Sequence, residues 1–86
     1  MTLEEYRKEI DKIDNELLEI ILKRNDIIKK IKEYKKLNNL QIYDEKREQE
    51  IKQRLIKKAE EININNELIN QIFDLILENS KKIQNN

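Results

Sequence analysis

Positions 3, 6, 10, 13, 17, 20, 24, 27, 31 and 34 keep an unbroken alternation of three- and four-residue steps. They read Leu, Tyr, Ile, Ile, Leu, Ile, Arg, Ile, Ile and Tyr, a helical seam interrupted by one cation, Arg24. Thr2 followed by Glu5 fits a capping box, and no helix breaker intervenes before Asn38 and Asn39, which can take the left-handed conformation that ends a helix. The spacing predicts a helix over about 2–37. Such a helix is about 50 Å long, whereas a compact domain of this size has a radius of gyration of about 12 Å. Two shorter helices cannot cover the whole stripe, so the pattern predicts an obligate, intertwined homodimer whose long helix crosses into the partner.

Residues 37–43 form a connection. A second helix is expected over about 44–61, with Asp44 as N-cap and Ile51, Leu55, Ala59 and Ile62 along one face. Asn63 to Asn66 interrupt it. A third helix, over about 65–84, carries Ile69, Ile72, Phe73 and Ile76. The expected architecture is all-α, three helices per chain, one long and two shorter, in a single domain spanning 1–86.

Polar residues on apolar stripes are the informative ones, because burying them is costly unless they are paired. Lys35 returns to within about 20° of Arg24 around the first helix, with Ile28 and Ile31 between them. On the second helix Asp44, Arg47 and Glu48 extend the stripe of Ile51 and Leu55. On the third, Ile72 and Ile76 are continued by Ser80 and Gln84 at four-residue steps. The three polar stripe ends can line one pocket. Arg7 lies 17 residues before Arg24, about 25 Å along the axis, and can serve only a partner's pocket. Each feature also has a plainer meaning: Arg24 as a register-setting residue of a coiled coil, Asp44 to Glu48 as a solvated helix start, Ser80 and Gln84 as a fraying end, and Arg7 with Asp11 as a surface pair.

Composition narrows the chemistry. The chain has no Cys, His, Gly, Pro or Trp, and a single Ser. Thiolate nucleophiles, zinc or iron sites of the usual ligands, imidazole bases and glycine-rich phosphate loops are excluded. Lys plus Arg and Asp plus Glu balance at 18 each, so no net attraction to nucleic acid or anionic membrane arises. The charge-free run from Leu37 to Tyr43 is too short for a transmembrane helix or a signal peptide, and a soluble cytoplasmic protein is expected. Ile, Lys and Asn dominate in the manner of a low-GC genome. Against that background the few Arg residues stand out, since a guanidinium grips a carboxylate with two hydrogen bonds and an ammonium does not.

The run from Tyr6 to Asp14, then Leu17, Leu18, Arg24 and Lys35, then Tyr43-Asp44-Glu45-Lys46-Arg47-Glu48, and finally Ser80 and Gln84, resembles the all-helical (type II) chorismate mutases of the AroQ class. The resemblance covers the chain from near Leu3 to Gln84 without insertions. It implies an isomerase that rearranges chorismate to prephenate in phenylalanine and tyrosine biosynthesis, with no cofactor or metal, in an intertwined dimer with two sites. By resemblance, Arg24 and the partner's Arg7 hold the two substrate carboxylates, Ser80 assists, and Arg47 adds positive potential. Lys35 and Gln84 donate to the ether oxygen, and Glu48 with the Asp44 region takes the ring hydroxyl. Some members carry Glu at the position of Gln84 and then require acidic pH; Gln here implies activity that is flat around neutrality. Two alternatives accompany this one: an isochorismate pyruvate-lyase of the same fold, and a non-catalytic helical dimerisation module.

Overall fold

The computed structural model describes residues 1–86 as three helices and no strand: α1 Leu3–Leu37, α2 Glu45–Glu61 and α3 Asn66–Asn85. Each start is capped locally. Thr2 Oγ1 accepts from the Glu5 amide at 3.2 Å, Asp44 Oδ1 from the Arg47 amide at 2.9 Å, and Asn65 Oδ1 from the Leu68 amide at 3.0 Å. The observed helices begin one residue after the expected ones because these cap residues stand just outside the helical backbone.

The two helix ends that lead into connections are built alike. Asn39 and Asn63 take positive φ, 54° and 60°. The residue after each closes a six-to-one bond at 2.8 Å, Leu40 N–H to Lys35 O and Ile64 N–H to Ala59 O. These are Schellman ends, normally completed by glycine. In a chain without glycine, asparagine supplies the left-handed residue. At these two positions the abundant Asn is structural, beyond its compositional origin.

α3 packs on both α1 and α2, whereas α1 and α2 do not pack on each other. Ile28 of α1, Ala59 of α2 and Leu77, Ser80 and Gln84 of α3 are the only buried residues. Leu77 takes the central place on α3, while the expected core residue Ile72 is 39% exposed. Asn79 Nδ2 donates to Asn25 Oδ1 at 3.2 Å across α1 and α3, and Lys52 pairs with Asp74 across α2 and α3.

The seam of α1 finds only half a partner. Every residue from Met1 to Lys23 is exposed, with Tyr6, Ile10, Ile13 and Leu17 each more than half accessible. The molecule extends 55 Å along its long axis with a radius of gyration of 16.2 Å, against about 12 Å for a compact chain of this length. Its accessible surface is 7467 Å², where a compact monomer of this mass exposes about 5,500 Å². No helix is long and apolar enough to cross a membrane.

Candidate active site

Where α3 crosses the C-terminal half of α1 and the start of α2, a cavity of about 500 Å³ opens, within the roughly 300–1,000 Å³ of small-molecule sites. Ile27, Ile28, Ile31, Ile42, Ile51 and Leu77 supply its apolar lining. Arg24 and Lys35 reach it from α1, Asp44, Arg47 and Glu48 from the start of α2, and Ser80 and Gln84 from α3. Seven of the eight residues singled out in the sequence therefore share one cavity. Arg7 does not. Its exposed side chain pairs with Glu4 at 3.8 Å, not with the expected Asp11, on the uncovered half of α1.

Local geometry sets each group. Arg24 donates from Nη1 to Ser80 Oγ, and the Ser80 hydroxyl donates to Ile76 O at 3.0 Å. The two arms of the guanidinium are thus not spent on a carboxylate of the protein. Lys35 Nζ donates to Ile42 O at 2.8 Å, which ties the α1–α2 connection to α1 and leaves two of three ammonium hydrogens uncommitted. Arg47 meets Glu50 at 3.8 Å, with both side chains more than half exposed, a contact of small energetic weight. Gln84 Nε2 donates to Ser80 O at 3.2 Å. Gln84 Oε1 and Glu48 Oε2 are out of solvent contact and accept no hydrogen bond, an unusual condition for buried polar atoms and a common one in sites built for a ligand.

Two charged lining residues were not among those singled out in the sequence, Lys23 and Lys81. Lys81 was legible: it stands four residues after Leu77 and three before Gln84, on the face that α3 buries. With them the lining carries five cations, Lys23, Arg24, Lys35, Arg47 and Lys81, against two carboxylates, Asp44 and Glu48. Burial, and secondarily the charge of Arg47, lower the Arg24 pKa. Partial burial of a cation beside another cation is unfavourable in the empty pocket, and an anionic occupant relieves both effects. No cluster of carboxylates is arranged to hold a metal ion.

Fold and site together define a small helical protein with a cationic, partly apolar pocket sized for a compact organic anion. A family model, chorismate mutase type II, matches residues 6–85. Chorismate mutase from Methanocaldococcus jannaschii is 37% identical over 82 residues, which cover 95% of this chain and 83% of that protein. A bifunctional chorismate mutase/prephenate dehydratase from Buchnera aphidicola is 35% identical over 79 residues, 92% of this chain and 20% of its own length. The chain thus spans about a fifth of that bifunctional relative. Among solved structures, a conserved hypothetical protein from Pyrococcus furiosus superposes with a TM-score of 0.73 at 42% identity, covering 98% of this chain and 96% of that one. The chain belongs to the type II chorismate mutase family and is an isomerase of that class.

Proposed function

We propose that the cavity binds chorismate and promotes its rearrangement to prephenate. The observation that carries this is the convergence of Arg24, Lys35, Glu48, Ser80 and Gln84, from three helices, on one cavity with an excess of positive charge. In the reaction the ether C–O bond breaks as a C–C bond forms between the enolpyruvyl methylene and the ring. No atom is transferred and no nucleophile is needed, which suits a chain without His or Cys. The protein has to hold a compact conformer and stabilise the negative charge that grows on the ether oxygen.

In this mechanism the arm of Arg24 not engaged by Ser80 grips one carboxylate, and Ser80 fixes the guanidinium through Nη1. Lys35 and the amide of Gln84 donate to the ether oxygen from two different helices, α1 and α3. Glu48 accepts from the ring hydroxyl, and Asp44, whose Oδ1 is engaged by the Arg47 amide, holds the start of α2 on which Glu48 stands. Arg47 contributes positive potential. Incubation of the purified chain with chorismate is expected to yield prephenate. Exclusive turnover of isochorismate to salicylate would overturn this in favour of the lyase, and loss of neither substrate would favour a binding module.

The same proposal includes an intertwined homodimer of single-domain chains, in which the uncovered half of α1 packs on a second copy and carries Arg7 to the partner's cavity. The exposed apolar seam and the excess of about 2,000 Å² over a compact monomer support it; buried on each of two copies, that is about 4,000 Å² in total, within the range of obligate homodimers. Light scattering after size exclusion at micromolar concentration is expected to give twice the chain mass of 10.6 kDa. A folded species at the monomer mass would overturn the shared site.

A further inference from the structure

Lys81 has no part in the mechanism above, yet it lines the same cavity. Its Nζ lies 3.7 Å from Glu48 Oε2 and 4.8 Å from the centre of the Tyr43 ring. Oε2 is the Glu48 oxygen that has left solvent without gaining a hydrogen-bond donor. A carboxylate oxygen in that position is costly unless a cation compensates it, and Lys81 is the one cation within ion-pairing distance. None of the other four cations of the cavity, Lys23, Arg24, Lys35 and Arg47, pairs with Glu48: Arg24 bonds to Ser80, Lys35 to Ile42 O, and Arg47 meets Glu50. The ammonium is in turn confined by the face of Tyr43, whose quadrupole attracts it. Three elements thus meet at one charge: α2 through Glu48, α3 through Lys81, and the α1–α2 connection through Tyr43.

We propose that Lys81 is a positioning residue, which fixes the Glu48 carboxylate in the orientation that accepts the substrate's ring hydroxyl. The inference rests on the chorismate reading of the cavity. It gives Lys81 a role in discrimination by hydroxyl position, exerted through Glu48 and not by contact with the substrate.

The test uses the full chain and chorismate. Lys81→Met is expected to lower kcat/KM about tenfold, in the range of coupled neighbours, and Lys81→Arg to restore it to within about threefold, because a cation of similar reach returns. In a Glu48→Gln background, Lys81→Met is expected to change kcat/KM by less than about twofold, since the amide leaves no charge to hold. Wild-type kcat/KM in Lys81→Met overturns the inference. So does a tenfold loss that persists in Glu48→Gln, which would mean that Lys81 acts on the substrate anion itself. Should Lys81→Met lose its helical circular dichroism, Lys81→Gln is read by the same criteria. A wild-type chain inert toward chorismate overturns the underlying reading; an active wild type with an unaltered Lys81→Met overturns only the role of Lys81.

Discussion

Lys35→Ala is expected to lower kcat for chorismate by roughly 10²- to 10³-fold, the loss typical when one donor aimed at developing charge is removed. Lys35 stands one helical turn beyond Ile31, where the apolar lining of α1 ends. Its ammonium is placed by the 2.8 Å bond to Ile42 O, so it is held at the cavity before substrate arrives. Such preorganisation is the source of the effect: the donor need not be reoriented as the ether bond lengthens. Because substrate binding relies more on the arginines, KM should move less than kcat. The side chain is half-buried and its loss removes one tether of the connection, so the melting temperature is to be measured alongside. A folded Lys35→Ala enzyme with kcat within about threefold of wild type would remove Lys35 from the catalytic role.

Arg24→Lys should cost at least about 100-fold in kcat/KM, because a point charge replaces a fork that engages Ser80 with one arm and a carboxylate with the other. The same change should leave stability nearly untouched. Burial and the charge of Arg47 already lower the Arg24 pKa, so the empty protein gains little from holding this cation. Ser80 keeps its bond to Ile76 O when the guanidinium is gone. Large loss of activity with an unchanged thermal midpoint is the signature of a residue kept for ligand binding. An equal loss of both would return Arg24 to a structural role in the seam. Mixing Arg24→Ala with Arg7→Ala chains adds a test of sharing. If each cavity uses Arg24 of one chain and Arg7 of the other, a heterodimer has one intact site. An equal mixture after subunit exchange then recovers about one quarter of wild-type activity. No recovery after confirmed exchange would contradict the sharing.

Much of this architecture was legible because its signals are local. The three helices, the caps at Thr2 and Asp44, and the breaks at Asn38–Asn39 and Asn63–Asn66 rest on bonds spanning three to five residues. The azimuths that put Arg24 with Lys35, and Ser80 with Gln84, follow from helical periodicity alone. Burial was less legible. Ile72 and Leu77 both sit on the apolar side of α3, and only the crossing with α1 and α2 decides that Leu77 is enclosed and Ile72 is not. Periodicity places Lys81 on the side that α3 buries, but only the chain's folding brings Glu48 and Tyr43 to it.

By itself, then, the sequence determined which segments are helical, where each starts and stops, and which face of each ends in polar groups, since those properties depend on neighbours within a turn or so. The tertiary structure decided which faces meet. Arg24 and Ser80 are 56 residues apart in the chain, and nothing in the local pattern sets their approach. It results from α3 lying against both other helices, which encloses Ser80 and Gln84 and leaves the first half of α1 bare. The physical reason is the range of the forces. Backbone hydrogen bonds and capping act within a few residues, whereas burial of apolar area and the pairing of charges it encloses depend on the placement of whole elements.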